Sequence, residues 1–190
     1  MTQTTRNAHD VGSILLLSGA PGSGKSTIAR LLTQTAERSA VHLVTDGFYT
    51  AITKGFVLPF MPEAARQNEV VLRAIVASMV AYAEGGYDVV VDGIIGPWSL
   101  QPFADAARRG LRLSLIVLRP DLAAALARAS AREGRELKSV EAIKGLYGAF
   151  ADLGALGPHV IDNTADTPEE SVRRVRAAWN SAQFSYLPHA

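Results

Sequence analysis

The chain contains no cysteine among its 190 residues. That absence excludes a disulfide framework, a thiolate metal cluster and a cysteine nucleophile. Neither sign of charge predominates, because 19 Lys and Arg residues accompany 18 Asp and Glu residues and leave a formal net charge of +1. An extended nucleic-acid-binding surface needs an excess of cations, so this balance disfavours that class of protein. A hydrophobic fraction of 48% instead favours a globular protein with an apolar core.

Long hydrophobic runs are also missing. Uncharged stretches such as residues 74–83 and 93–104 are shorter than the roughly 18 apolar residues that a membrane-spanning helix needs. The apolar run at residues 14–17 is too short for the hydrophobic region of a signal peptide, and a glycine-rich loop follows it. We therefore expect a cytoplasmic protein that does not enter a membrane.

Short apolar runs alternate along the chain with apolar residues at helical spacing. The runs lack the strict alternation of a half-exposed sheet, which is typical of strands buried on both faces of a parallel sheet. There are five of them, at residues 14–17, 41–44, 89–91, 113–118 and 159–161. The helical patterns begin near Ile28, Val70 and Leu122. Strands and helices in alternation predict a doubly wound α/β fold.

Residues that commonly end or cap helices mark where the elements and segments of the chain begin and end. Two glycines at positions 85 and 86 are expected to end the second helix, and Thr167 is expected to cap the last one, with Glu170 at its third position. We expect a flexible tail at residues 1–10 and a single domain over residues 11–190. Long connections at residues 45–62 and 132–139 are expected to be functional, because long loops in compact domains usually are.

A glycine-rich segment carries the strongest chemical signal. Residues 19–26 read Gly-Ala-Pro-Gly-Ser-Gly-Lys-Ser and match G-x-x-x-x-G-K-[ST], between an apolar strand and an amphipathic helix as that motif requires. Such a loop turns successive backbone N–H groups inward, and the helix adds its positive N-terminus, so we expect it to bind a polyphosphate. The expected nucleotide contacts are Gly19, Ala20, Pro21, Gly22, Ser23, Gly24, Lys25, Ser26 and Thr27.

Three side chains have predicted roles around the phosphates and a metal ion. Lys25 is expected to reach the β- and γ-phosphate oxygens, and the Ser26 hydroxyl to ligate a bridging Mg²⁺. Asp92 ends the apolar run at residues 89–91, where a carboxylate would hold a water molecule on that ion. A strand-end Asp also commonly forms a turn or caps a helix, which is the alternative for Asp92.

A second strand-end carboxylate, Asp46, is the candidate acceptor-side group. Transfer of a phosphoryl group to an alcohol needs a residue that orients the hydroxyl and accepts its proton. The alternative is that Asp46 and Gly47 form an ordinary Asp-Gly turn. Arg66 either presents a cation toward the strand ends or is simply solvated. Aromatic residues in the loops are candidates for walls of an acceptor pocket, namely Phe48, Tyr49, Phe56, Phe60 and Trp98.

Three arginines have the spacing of one helix face. Arg128, Arg132 and Arg135 fall at i, i+4 and i+7, so they form one stripe if the helix continues that far. Residues 128–138 carry four cations and two anions. An arginine fork matches the charge of a transferring phosphoryl group, so the segment is a candidate lid; the alternative is a solvated helix face. The four histidines show no metal-ligand spacing.

Together these residues resemble the small P-loop kinases of the nucleoside-monophosphate-kinase-like superfamily. The resemblance lies in the P-loop after a strand, Asp46 after the second strand, the Val-Val-Asp-Gly sequence that ends at Gly93, and the Arg128-x-x-x-Arg132 pair. The chain is most similar to the chloramphenicol phosphotransferase-like enzymes and related bacterial P-loop phosphotransferases over residues 11–178. Shikimate and gluconate kinases are more distant.

The resemblance implies a five-stranded parallel sheet in the order 2-3-1-4-5, ATP with Mg²⁺, and an acceptor site between the second strand and the lid. It implies that Asp46 is the catalytic acid, that Arg128 packs against adenine and that Thr164 flanks the base. It also implies that Arg132 and Arg135 contact phosphate. Many relatives carry two acids where this chain has Asp46 followed by Gly47.

The predicted function is therefore ATP-dependent phosphorylation of a hydroxyl on a small molecule, such as an antibiotic or a sugar acid. The alternative is an ATP-binding regulatory or toxin-like module that acts on a sugar nucleotide, a protein or a nucleic-acid end. A switch GTPase is disfavoured, because the chain has no Asn-Lys-x-Asp base-reading motif. We expect a monomer or a homodimer without membrane or extended nucleic-acid contacts.

Overall fold

The protein is described by a computed structural model that covers residues 11–131 and 139–186. Its centre is a five-stranded sheet in which all strand pairs are parallel. The strands are β1 (Ile14–Ser18), β2 (Ala40–Val44), β3 (Asp88–Gly93), β4 (Leu113–Leu118) and β5 (Val160–Ile161). Their order across the sheet is β2-β3-β1-β4-β5, which confirms the expected doubly wound topology. The tail at residues 1–10 and most of the expected lid lie outside the described residues.

Helices connect successive strands. They are α1 (Lys25–Gln34), α2 (Thr45–Thr50), α3 (Ala65–Glu84), α4 (Gln101–Arg108), α5 (Leu122–Ser130), α6 (Val140–Gly148) and α7 (Pro168–Trp179). Short 3₁₀ turns occupy Pro62–Ala64, Pro97–Ser99, Gly154–His159 and Ala182–Phe184. None of the helices in the described ranges is long and apolar enough to cross a membrane.

Successive residues of the strands pack into two apolar clusters, one on each face of the sheet. On one face, Leu16 and Val91 pack with residues of α3 and α4 such as Ile75. On the other face, Leu17 packs with residues of α1 and α7, including Ile28. Burial on both faces explains why the strands read as continuous apolar runs rather than as an alternating pattern.

Both helix boundaries that the sequence predicts are present. Helix α3 ends at its C-cap Gly85. Helix α7 begins with a reciprocal capping box, in which the Glu170 amide donates to the Thr167 hydroxyl (3.2 Å) and the Thr167 amide donates to the Glu170 carboxylate (2.8 Å). Hydrogen bonding to its carboxylate, first from the Thr167 amide and then from the Thr167 side chain, also lowers the pKa of the Glu170 carboxyl.

Two local expectations are wrong. The connection at residues 45–62 is not all loop, since helix α2 occupies Thr45–Thr50. Its six residues span less than two turns, too few to show helical periodicity, and the helix is held by the packing of Phe48 and Tyr49 on the α3 face of the core. The last strand does not begin at residue 159, because His159 ends a 3₁₀ turn.

Candidate active site

The P-loop joins β1 to α1 in a conformation that depends on glycine. Gly19, Gly22 and Gly24 have φ angles of 150°, 83° and 88°, values that side chains on L-residues disfavour. A Cβ at Gly22 would overlap the backbone carbonyl of Ala125 on α5, and one at Gly19 would lie 2.5 Å from the Leu118 carbonyl oxygen. The glycines therefore let the loop lie directly against the ends of β4 and α5.

Hydrogen bonds from distant parts of the chain hold this loop. The Ser18 hydroxyl donates to the Ile95 carbonyl (2.6 Å) and accepts from the Ile95 amide (2.9 Å). The Asn163 amide group donates from Nδ2 to the Ser23 carbonyl (3.0 Å). The Ser23 hydroxyl itself is buried and has no hydrogen-bond partner within the described ranges. An orphaned hydroxyl in a loop of this kind fits a site for phosphate oxygens.

The predicted phosphate-binding residues occupy the start of α1. Lys25 is the first residue of the helix and is only 8% exposed, whereas Ser26 and Thr27 are exposed. The helix begins directly after Gly24, so its N-terminal amides and its positive dipole end belong to the same site as the loop. This geometry suits a polyanion with one end against the loop.

Asp92 is the second-last residue of β3, beside the start of the P-loop. The strand register aligns it with Leu17 of β1 and with Val44 of β2. Its carboxylate is 2% exposed, and Oδ2 lies 3.3 Å from Nε2 of His42. The other oxygen, Oδ1, is buried without a hydrogen-bond partner in the part of the chain that the structure describes.

These oxygens fit a magnesium ion held mainly by a nucleotide. Mg²⁺ takes oxygen ligands and typically binds through one or two carboxylates together with substrate phosphates and water. Among the described residues there is no cluster of three or more acidic or histidine side chains that would hold a metal alone. The Asp92 oxygen without a hydrogen-bond partner and the Ser26 hydroxyl are oxygen ligands of the kind that Mg²⁺ needs.

The loop after β5 and helix α5 enclose a cavity beside the P-loop. Arg128 spans it, donating from Nη2 to the carbonyls of Asn163 (3.0 Å) and Thr164 (2.9 Å). The cavity has a volume of about 270 Å³ and is lined by Gly22, Gly24, Thr27, Ile28, Arg128, Asn163, Asp166, Pro168 and Ser171. Because Asn163 uses Nδ2 on Ser23, its buried Oδ1 is left as an unused acceptor among the described residues.

The Thr164 side chain is engaged within the protein. Its hydroxyl donates to Asp162 (2.6 Å) and accepts from the Asp121 amide (2.8 Å), which ties the loop to the start of α5. Hydrogen bonds from Thr164 are the main cause of a lowered pKa of the Asp162 carboxyl. Arg174 supports the same loop by an ion pair with Asp166 (2.6 Å). The loop is therefore fixed before any ligand binds.

The acceptor side begins where β2 ends. Asp46 lies in the first turn of α2 and is exposed, and the preceding Thr45 packs against Gly93, where a Cβ would overlap its side chain. This contact brings the start of α2 against the end of β3. Burial, and secondarily the charge of Asp46, raises the pKa of Tyr49 one turn further along.

The remaining candidate residues on the acceptor side are largely exposed. Phe60 is 70% exposed and Trp98 57% exposed, with the Trp98 ring edge-on to Phe150 at 5.6 Å. Arg66 is exposed, and its neighbour Gln67 instead forms two hydrogen bonds with the backbone of Val57. Arg132 and Arg135 lie outside the described residues; α5, which carries Arg128, ends at Ser130.

Sequence reasoning did not predict the contact of His42 with Asp92 or that of Asn163 with Ser23. His42 precedes Val44 by two residues, so the two side chains share a face of β2, but its pairing with Asp92 depends on the register between β2 and β3. The bond from Asn163 to Ser23 joins residues 140 positions apart. No local pattern in the chain carries either contact.

Solved structures with the same fold include several kinases. The tunicamycin resistance protein of Deinococcus radiodurans superposes with a TM-score of 0.67 at 16% identity, over 94% of this chain and 99% of that one. A gluconokinase from Sinorhizobium meliloti gives 0.62 at 19% identity, over 90% and 93%. A sugar kinase from Janibacter gives 0.61 at 21% identity, over 90% and 96%. At these identities the similarity shows the fold.

Among curated proteins, a cytidylate kinase from Pyrobaculum neutrophilum is 36% identical over 95 residues. A second cytidylate kinase, from Sulfurisphaera tokodaii, is 30% identical over 95 residues. The matched region spans about half of this chain and half of each relative, at 48% and 50% for the first of them. These matches agree with the P-loop kinase fold.

The family comparison covers nearly all of the described domain. The sequence profile of the chloramphenicol phosphotransferase-like proteins matches residues 12–180, from the start of β1 to the end of α7. That range includes the P-loop, Asp92, Asp46 and the loop after β5. The chain therefore belongs to the chloramphenicol phosphotransferase-like family of P-loop kinases.

Proposed function

We propose that the protein transfers the γ-phosphoryl group of ATP to a hydroxyl group of a small molecule. The observation that supports this most is the convergence of three functional groups at the carboxyl edge of adjacent strands. The P-loop follows β1, Asp92 is the second-last residue of β3 and Asp46 follows β2, and these strand ends lie side by side in the parallel register. A cleft at the carboxyl ends of strands in an open α/β sheet is the usual ligand site of such folds.

The reaction divides between positioning and charge stabilisation. Lys25 and the P-loop amides hold the β- and γ-phosphates, and Arg132 and Arg135 add positive charge from the lid. When bound, Mg²⁺ neutralises part of the charge on the phosphate oxygens, with Ser26 as a ligand and Asp92 acting through a water molecule. Arg128 and the loop that contains Thr164 hold the base.

The chemical step forms one bond and breaks one. The acceptor hydroxyl oxygen bonds to the γ-phosphorus while the bond from that phosphorus to the β–γ bridging oxygen breaks, and ADP leaves. Asp46 orients the hydroxyl and takes its proton. Its exposure in the first turn of α2 leaves the carboxylate accessible to an acceptor.

A panel assay tests this function. Purified protein is incubated with ATP and Mg²⁺ and a set of hydroxyl-bearing antibiotics, sugar acids and sugars, and products are identified by mass spectrometry. We expect one acceptor class to gain a phosphoryl group, with Lys25→Ala as the inactive control. Hydrolysis of ATP by water alone across the whole panel would contradict the proposal and favour a regulatory or toxin-like module.

The cytidylate kinase relatives give a second candidate acceptor. Their similarity over 95 residues makes cytidylate a specific compound to test, and its phosphate group rather than an alcohol would receive the phosphoryl group. Inclusion of CMP in the panel distinguishes an alcohol acceptor from a phosphate acceptor. Formation of CDP in preference to a phosphate monoester would replace the alcohol acceptor with a phosphate acceptor while keeping the kinase reaction.

A further inference from the structure

The hydrogen bond between His42 and Asp92 joins an edge strand to the centre of the site. His42 lies on β2, which is at the edge of the sheet, and its side chain is 20% exposed. Nε2 lies 3.3 Å from Oδ2 of Asp92. A carboxylate without its proton only accepts hydrogen bonds, so Nε2 is the donor.

This contact leaves the two oxygens of Asp92 in different situations. Oδ2 is engaged by His42, whereas Oδ1 has no hydrogen-bond partner among residues 11–131 and 139–186 and is itself buried. A buried, unsatisfied carboxylate oxygen is costly unless a ligand satisfies it. A carboxylate pinned at one oxygen also cannot rotate freely about its terminal bond, so the direction of the other oxygen is set by the protein.

We propose that His42 is a positioning residue that orients Asp92 toward the metal-bound nucleotide. This inference rests on the proposed use of Mg²⁺ with ATP, and it adds a role for a residue outside the P-loop and the lid. The imidazole engages Oδ2, which leaves Oδ1 as the carboxylate oxygen that could accept from the water shell of the ion. Partners of this kind usually matter because they fix the geometry of the groups that serve a metal.

A purely structural role for His42 makes a different prediction. If the pair only attached β2 to β3, its loss would lower the free energy of unfolding and leave metal binding by the folded protein unchanged. If His42 orients Asp92, its loss weakens the coupling between metal and nucleotide even in protein that is fully folded. The metal dependence of nucleotide binding therefore separates the two roles.

The experiment measures binding of a nonhydrolysable ATP analogue by calorimetry, once with EDTA and once with saturating Mn²⁺. The metal coupling is the affinity with Mn²⁺ divided by the affinity with EDTA. Measuring it does not require turnover. Loss of an outer partner of a metal site typically costs about 10–100-fold in metal affinity. We expect His42→Leu to reduce the ratio about tenfold and to leave the affinity in EDTA unchanged. Asp92→Asn, which changes the presented group itself, should reduce the ratio at least as much.

Two amide variants make the test independent of whether His42→Leu folds. His42→Gln places an amide donor near the position of Nε2 and should retain most of the coupling, whereas the shorter His42→Asn should not. Asp88→Asn is the matched control, because Asp88 lies on β3 at the opposite end from Asp92 and accepts from Ser13 (2.8 Å). It should lower stability and leave the coupling unchanged.

The outcomes are distinct. Coupling in folded His42→Leu and His42→Asn that equals the wild-type value would overturn the positioning role while leaving the kinase function intact. Coupling that is lost equally in His42→Gln and His42→Asn would also overturn it, because the donor would then not matter. Absence of any Mn²⁺ effect on the wild-type protein would overturn both this inference and the proposed metal-assisted reaction.

Discussion

At the scale of single residues, Lys25 carries the largest expected effect on activity. It is 8% exposed at the first position of α1, directly after Gly24 of the P-loop. Removal of one preorganised group that stabilises transition-state charge typically costs about 100-fold or more in kcat. We expect Lys25→Ala to lose at least that much in phosphoryl transfer. Lys144→Ala, on the exposed face of α6, should keep wild-type activity in the same assay.

Two glycines predict opposite responses to the same substitution. Gly22 has a φ of 83° and no room for a Cβ beside Ala125, so Gly22→Ala should lower the free energy of unfolding by at least about 1–2 kcal/mol. Gly145 lies inside α6 with no atom within 4 Å of an added Cβ. Gly145→Ala should raise the free energy of unfolding by about 0.5–1 kcal/mol. Urea unfolding measures both changes, and a loss of stability in Gly145→Ala would contradict the open space found around Gly145.

At the scale of elements, the capping box of α7 predicts a dependence of stability on pH. Hydrogen bonds from Thr167 lower the pKa of Glu170 below its ordinary value of 4.5 in the folded protein. The resulting stabilisation is fully present above that ordinary value and is lost as the pH falls through the folded pKa. We expect Glu170→Gln to lower stability near neutral pH and to approach the wild type as the pH falls below 4.5 and through the folded pKa. A difference in the free energy of unfolding that stays constant over that pH range would contradict this.

The elements differ in how far they follow from local sequence. The five strands and the P-loop follow from short-range patterns. Burial on both faces makes β1, β3 and β4 apolar runs, and the loop needs glycine where φ is positive. Helices α2 and α4 have six and eight residues, too few for periodicity to stand out. Helix α2, which carries Asp46, is held by the core contacts of Phe48 and Tyr49 and not by its own propensity.

At the scale of the whole molecule, the site is assembled from contacts that no segment encodes alone. The hydrogen bond from Asn163 to Ser23 and the pair of His42 with Asp92 join positions 140 and 50 residues apart. Motif spacing predicted Lys25 and Asp92 because their neighbours in sequence define their surroundings. His42 and Asn163 acquire their roles only when strand order and register bring them to the site. The net charge of +1 is a sum over the whole chain, so it does not determine how charge is distributed around the site.

The division of the molecule into a nucleotide side and an acceptor side yields a final prediction about Asp46. A ligand that binds only the folded state stabilises it by about 2.7 kcal/mol at a concentration 100 times its Kd. Asp46 lies on α2, whereas the proposed phosphate and base contacts lie on the P-loop, α1, α5 and the loop after β5. Asp46→Asn should therefore keep the wild-type increase in Tm with a nonhydrolysable ATP analogue and Mg²⁺. Phosphoryl transfer to the acceptor should fall by about 10²–10⁴-fold, the usual contribution of a positioned proton acceptor. Near wild-type transfer by Asp46→Asn would remove Asp46 from the chemical step, and loss of the Tm shift would mean that the two sides of the cleft are not independent.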